Sequence, residues 1–489
     1  MNFARDVVDA APRAQRALVS ISREGERREW TFGEVADRSA RLAGRLQRHG
    51  VRSGDVVLTL IGARPEWVLT MLACFRIGAV ALPCNEQLRG NDLRHRIAAA
   101  QPKLVVADER DLSELSDAQP DCLVLTVPDD ALFDAEPAPA IELDSADPCL
   151  ITFTSGTTGE PKGVVHGQRY LPGQRLQAGH WLGARSGDLV WCTAASGWSK
   201  SARNAFIAPW LQGAAALLHD ARFDPAQRLE ILAAEDVNVL CMAPTEYRVI
   251  AKRTTLAPLP AMRSLVAAGE ALNPEVLRTF RDGTGLEIRD GYGQTETGQL
   301  TAMPIGVPAR EGSMGRALPG VDLQVDPDGE LVLADPRTDP TFFVSDLGGA
   351  PAPLDQPWRT GDRVRRDGDG YLYFEARTDD VIISAGYRIG PFEVESALIS
   401  HRSVAEAAVV GAPDDERGSV VRAIVVLSDG FAPSEDLARE LQEHVKAQTA
   451  PYKYPRILEF ASALPKTASG KVQRALLRER RGRSLRSGR

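Results

Sequence analysis

Between Thr31 and Ala107 short apolar runs alternate with helix-length amphipathic stretches, and that rhythm restricts the chain to a layered α/β body. Thr31-Phe32-Gly33-Glu34 is a capping-box pattern opening a helix towards Gly50, with Val35, Leu42, Ala43 and Leu46 near helical spacing. A strand-like run Val56 to Ile61 follows, then a helix from Pro65 to Ile77, an extended segment Ala79 to Leu82, a helix near Leu93 to Ala100 and a strand Leu104 to Ala107. Units of this length predict mostly parallel strands buried on both faces. The same texture returns in Asp188 to Cys192, Ala214 to Leu218, Val237 to Met242, Ser264 to Ala267 and Glu287 to Ile288.

From Gly320 to Ala334 the period shifts to alternation, which predicts a smaller β-rich subdomain over about 320–378. Asp335 to Pro357 is rich in Pro, Gly and Asp and is expected to be loops. The polar string Arg377-Thr378-Asp379-Asp380 marks a boundary. After it come a helix from Glu393, strand candidates Ala405 to Val410 and Val421 to Leu427, and a helix from Ser434 to Gln448. The expected class is α/β and α+β: a large layered N-terminal part with parallel sheets and the β-rich subdomain in residues 1–378, then a small α+β C-terminal domain in 379–489.

With 489 residues, 43% apolar, 25% charged and a formal net charge of -8, the chain offers no global attraction to nucleic acid or acidic lipid. No apolar stretch reaches bilayer length, so stable membrane insertion is not expected. Six scattered cysteines without a CxxC pair read as buried free thiols in a reducing compartment, which points to the cytoplasm. Seven histidines show no metal-spaced cluster. The tail Arg478 to Arg489 carries six arginines and reads as a solvated end, with contact to a polyanion as the alternative.

Three loops carry chemistry. Thr154-Ser155-Gly156-Thr157-Thr158-Gly159-Glu160-Pro161-Lys162-Gly163 leaves backbone N–H groups exposed and adds hydroxyls and one cation, a composition suited to an oligophosphate. It is not a Walker A loop, because Glu160 and Pro161 separate Gly159 from Lys162. In Asp290-Gly291-Tyr292-Gly293-Gln294-Thr295-Glu296-Thr297-Gly298, glycines flank an aromatic ring, Thr295 is a neutral donor for phosphate and Glu296 a hard oxygen ligand for magnesium. Taken alone, Glu296 is as readily a surface carboxylate. Thr360-Gly361-Asp362 sets a carboxylate where ribose hydroxyls can donate to it, with Arg377 fifteen residues on.

Together with Gly269-Glu270-Ala271-Leu272-Asn273 and Lys471, these motifs stand in the order seen in the adenylate-forming superfamily of acyl-CoA synthetases, luciferase and the adenylation domains of peptide synthetases. The resemblance spans Thr31 to Arg474. It is closest to the medium-chain acyl-CoA synthetases, through residues 290–298, Ile383-Ser-Ala-Gly-Tyr-Arg-Ile-Gly-Pro391, Pro451-Tyr-Lys-Tyr-Pro-Arg456 and Leu464-Pro-Lys-Thr-Ala-Ser-Gly-Lys471.

The resemblance implies ATP, Mg2+ and coenzyme A as partners of a carboxylic acid. Thr154 to Lys162 would close over the β and γ phosphates, Gly269, Glu270 and Ala271 would line the nucleotide pocket, and Asp290, Gly291, Tyr292, Gly293 and Gln294 would border adenine, with Tyr292 and Gly293 also near the acyl group. Thr295 would touch the α-phosphate, Glu296 hold the metal, and Asp362 and Arg377 bind ribose. Arg388 would approach phosphate in one orientation of a mobile C-terminal domain hinged at Asp379. Lys471 would bridge the carboxylate and the α-phosphate during adenylation. After rotation, Ser384, Ala385, Gly386 and Tyr387 would flank the pantetheine tunnel, with Lys453 and Arg456 near the CoA phosphates. Trp198 and Tyr247 would wall the acyl pocket. The implied reaction turns acid and ATP into acyl-AMP and pyrophosphate, then CoA into acyl-CoA and AMP, for a medium-chain fatty or related acid. Transfer to a carrier-protein phosphopantetheine and a non-catalytic adenylate-binding protein are the alternatives. Ala376 and Ala385 depart from the glycine and serine common in the family.

Overall fold

Runs of β-branched and leucine residues with no polar face have to be covered on both sides, and the chain does so with two parallel sheets and helices packed between and around them. The computed structural model describes residues 1–154, 161–270, 272, 274–378, 380–385, 387–414, 416–466 and 472–479, with Arg388 described in its backbone only. One seven-stranded sheet runs Ile288–Gly291, Ser264–Ala268, Val239–Met242, Leu189–Cys192, Ala215–His219, Arg16–Ile21 and Arg27–Thr31, parallel throughout except for the last pair. A second runs Ser345–Asp346, Lys162–Gly167, Pro148–Thr154, Val80–Cys84, Val56–Leu60, Leu104–Asp108 and Leu123–Val127. Its first two pairings are antiparallel and the rest parallel.

Local signals behave as their chemistry dictates. The helix Phe32–Arg48 starts on Thr31, whose hydroxyl accepts from Glu34 N while the Glu34 carboxylate accepts from Thr31 N. The helix Pro65–Ile77 has proline in its first turn and ends at Gly78 with φ +72°, the left-handed cap that glycine adopts at no steric cost. That helix and the stretch Arg203–Ile207 contribute Trp67 and Phe206, which meet edge-to-face at 5.7 Å inside the core shared by the two sheets.

The expected β-rich subdomain is a four-stranded antiparallel sheet of Leu323–Val325, Glu330–Leu333, Trp358–Arg366 and Leu372–Arg377. The stretch read as loops is not wholly so: Ser345–Asp346 pairs with Val165 and Val164 and extends the second sheet. Beyond residue 380, Val404–Asp414, Gly418–Leu427 and Ile457–Phe460 form a three-stranded sheet with helices Pro391–Ile399 and Glu435–Gln448, around an apolar core of its own. Lys252 Nζ donates to Val404 O at 3.1 Å and ties this unit to the larger body.

Loops leaving the two parallel sheets meet. Ser196 Oγ donates to Ile61 O at 2.6 Å, and a Cβ on Gly197 would stand 2.6 Å from Asn85 N. The segment after Leu189–Cys192 therefore lies against the loops that follow Val56–Leu60 and Val80–Cys84. Functional crevices in α/β folds form outside such carboxyl ends.

In the hairpin of Ile382–Ser384 and Tyr387–Ile389, Ala385 has φ +49°, a left-handed conformation that costs an L-residue roughly 1 kcal/mol. Ala385→Gly is expected to stabilise the protein by about 0.4–1 kcal/mol. A urea midpoint that falls instead would refute this.

Candidate active site

The carboxyl ends of Val239–Met242, Ser264–Ala268 and Ile288–Gly291 lead into the segments singled out from sequence. Gly293–Gln294 and Gly298–Gln299 form a small antiparallel hairpin that carries Thr295 and Glu296 at its tip. Its tightness requires glycine at 293, where a Cβ would land on the carbonyl of Gly298. Phe343 N donates to Glu296 O at 2.8 Å, and Thr341 Oγ1 to Thr297 O at 2.6 Å, so the hairpin is held from the far side.

Asp362 is the hub of the site. It lies opposite Arg377 in the Trp358–Arg366 and Leu372–Arg377 pair, and the Arg377 guanidinium reaches its Oδ1 at 3.2 Å. The Tyr292 hydroxyl donates to Oδ2 at 2.5 Å and Gln294 Nε2 donates to the same oxygen at 3.1 Å. Gln294 Nε2 also bonds Thr360 O at 2.7 Å, while Trp358 Nε1 donates to Gln294 Oε1 at 3.1 Å. Burial, followed by the Asp362 charge, holds the Tyr292 phenol well above its usual range, so it remains a donor. Gly361, at φ +71°, lets the chain turn beneath Arg377.

On the opposite wall, Lys200 Nζ donates to Ala268 O at 2.9 Å and would lie 3.3 Å from a Cβ on Gly269. Desolvation pushes the Asp290 carboxyl up to about 8, against the bond from Gly291 N and the Lys200 charge. Glu270 is fixed by Thr245 Oγ1 at 2.7 Å and Arg248 at 3.2 Å. Sequence reading did not single out Lys200, Trp358, Thr245 or Arg248 as site residues. Lys200 follows Trp198 by two positions and was the nearest to being legible; the others are defined only by tertiary contact.

The phosphate loop is described at its neck. Thr154 and Lys162 face each other across the Pro148–Thr154 and Lys162–Gly167 pair, and Pro161 O lies 3.0 Å from His95 Nε2. Ser155, Gly156, Thr157, Thr158, Gly159, Ala271, Asp379, Gly386 and Lys471 lie outside the described residues, as does the Arg388 side chain. Of the expected CoA group, Tyr387 stacks on Tyr452 at 4.3 Å. Ser384 is buried and Ala385 forms the turn. Lys453 is ion-paired with Glu393, and Arg456 donates to the Tyr454 hydroxyl at 2.9 Å. Trp198 is half-buried at the junction of the two sheets. Tyr247 is fully buried, edge-to-face with Phe280, its hydroxyl 3.2 Å from Val266 O, so it packs in the core behind the first sheet.

A carboxylate hub prepared for ribose, a hydroxyl–carboxylate hairpin and a glycine-rich neck on a sheet edge define a nucleotide-dependent, adenylate-forming enzyme. Residues 5–337 match the AMP-binding enzyme family and residues 393–471 the AMP-binding enzyme C-terminal domain. The chain is 38% identical to human acyl-coenzyme A synthetase ACSM4, mitochondrial, over 526 residues, covering 99% of this chain and 91% of that protein. It is also similar to the crystal structure of a Brucella canis acyl-CoA synthetase, with TM-score 0.74 and 34% identity over 98% of this chain and 94% of that one. The anthranilate CoA ligase AuaEII in complex with anthranoyl-AMP superposes with TM-score 0.88 at 27% identity, over 98% and 96% of the two chains. The chain belongs to the AMP-binding, adenylate-forming enzyme family. Its chemistry is that of an AMP-forming acid–thiol ligase, in which acid and ATP give acyl-AMP and pyrophosphate and CoA then takes the acyl group. Among the described residues no helix is long and apolar enough to cross a membrane.

Proposed function

We propose that the Asp362 hub binds the ribose of ATP and that the acid activated there is a medium-chain fatty or related carboxylic acid. The observation that carries the reading is the convergence of Tyr292, Gln294 and Arg377 on one buried carboxylate, from segments about 70 residues apart in sequence. Asp362 is held ionised and oriented before any ligand arrives, which lowers the cost of binding a ribose diol. Tyr292 and the Gly269-Glu270 turn then border the base, Thr295 donates to the α-phosphate, and Lys471 neutralises the approach of two anions.

Magnesium fits the donor set, since this ion is usually held by one or two carboxylates plus substrate phosphates rather than a protein cage. Glu296 supplies the carboxylate from the hairpin tip; among the described residues no group of three or more His, Cys, Asp or Glu forms a site. The bound ion would polarise phosphate oxygens. We further propose a boundary at 378–379 between an adenylating part and a C-terminal part with its own core. The six unpaired thiols, five of them buried, support residence in a reducing compartment, the cytoplasm.

A pyrophosphate-release screen across aliphatic and aromatic acids, with mass detection of the CoA product, tests the reading. No acid-dependent pyrophosphate over a broad panel would end it. Asp362→Asn keeps the size but removes the charge facing Arg377. It is expected to raise the KM for ATP by roughly 10- to 100-fold, equivalent to about 1.4–2.8 kcal/mol. An unchanged KM for ATP would remove Asp362 from ribose binding.

A further inference from the structure

We infer that the acid this chain activates carries an oxygen acceptor at its far end, a second carboxylate or a carbonyl, read by Arg203. This rests on the site reading above. Arg203 is only 5% exposed, yet its Nε and Nη1 have no hydrogen-bond partner. Its remaining contact is a hydrogen bond shared with the buried Tyr170 hydroxyl. Among the described residues it forms no ion pair; the nearby Asp339 commits Oδ1 to Thr341 N and Oγ1, at 2.8 and 2.7 Å. A buried guanidinium with two idle donors carries a penalty of a few kcal/mol unless something accepts from it.

Its position says what that something is. Lys200 and Arg203 stand three residues apart on one continuous helical stretch, so they share a face. Lys200 marks the mouth of the cleft, at the Ala268 carbonyl and beside Gly269. One turn further in, Arg203 Nη1 would lie 3.3 Å from a Cβ on Gly298, beneath the hairpin that carries Thr295 and Glu296. An acid whose carboxylate meets the α-phosphate at that hairpin therefore extends its tail towards the guanidinium.

The surroundings are polar where an alkyl chain would want hydrocarbon. Gln177 Nε2 bonds Asn204 Oδ1 at 2.9 Å and leaves its own Oε1 without a partner. Trp181 Nε1 and Gln299 Oε1 are likewise buried and unpartnered, and Trp181 Nε1 would stand 2.8 Å from a Cβ on Gly291. An alkyl tail leaves every one of these groups unsatisfied, whereas an oxygen acceptor satisfies the most costly. Sites built around polar groups discriminate strongly against analogues that lack the matching atom.

The test compares hexanoate, 5-oxohexanoate and adipate by pyrophosphate release. The better of the two oxygen-tailed acids is expected to exceed hexanoate at least 10-fold in kcat/KM. In Arg203→Met the ratio should collapse towards 1, the loss falling on KM for the oxygen-tailed acid more than on kcat. Should that variant fail to fold, Arg203→Lys serves, with a smaller collapse in the same direction. A wild-type preference for hexanoate overturns the inference whatever the variants do, and leaves the site reading standing. Absence of acid-dependent pyrophosphate with all acids overturns the site reading instead.

Discussion

Lys471→Ala is expected to slow acyl-adenylate formation by at least roughly 10²- to 10³-fold, the loss that follows removal of one aimed donor from an active site. The penultimate loop has a single task in this half-reaction: it brings positive charge between a carboxylate and a triphosphate that repel each other. Once acyl-AMP exists and pyrophosphate has left, that repulsion is gone, and CoA transfer from supplied acyl-AMP should fall far less. The two half-reactions are measured separately, with circular dichroism to check folding. Equal losses in both, or a negligible loss in the first, would remove Lys471 from adenylation.

Gly293→Ala is expected to lose about 10²-fold in kcat, because a displacement of order 1 Å in a catalytic constellation costs that much. The new methyl would collide with the Gly298 carbonyl and lie 2.9 Å from Gln299 Cα, and neither is a side chain that can swing away. The hairpin has to open, and Thr295 and Glu296 move with it. Overpacking of this kind also destabilises by roughly 1–3 kcal/mol. The activity loss should persist well below the melting transition. Near-normal turnover would show that the hairpin tip does not need its present geometry.

Much of the fold was legible because its signals are local. Thr31 and Glu34 announce a helix start through two reciprocal bonds, and the apolar runs 56–60, 80–84 and 104–108 have no polar face that would allow a different placement. What escaped depends on distant partners. Arg16–Ile21 becomes a strand by pairing Leu18 with Ala216, and Ser345–Asp346 does so by pairing with Val165 and Val164. No periodicity in either short segment announces those neighbours.

The site divides in the same way. Asp362, Tyr292 and Arg377 were readable because their loops carry distinctive spacing, and the structure brings them together. Tyr247 was read as an acyl wall from its place after Ala243-Pro244, but the direction of its ring is set by the sheet beneath it, and it turns to Phe280. Arg203 gave no signal at all: in a stretch of Ala, Phe and Ile an arginine resembles an exposed position until the fold is known to bury it.

Arg377 is the last residue of its strand, Thr378 N bonds Gly361 O at 2.8 Å, and Asp380 N bonds Arg377 O at 3.1 Å. Asp380 in turn holds Arg474 and Arg478 of the terminal helix Arg474–Glu479. The connector between the two cores is thus only a few peptide units long and anchored at both ends, with one anchor inside the sugar cradle. A protein wired this way transmits nucleotide occupancy directly to the attachment of its smaller body, so protease susceptibility at the connector should register whether that cradle is filled.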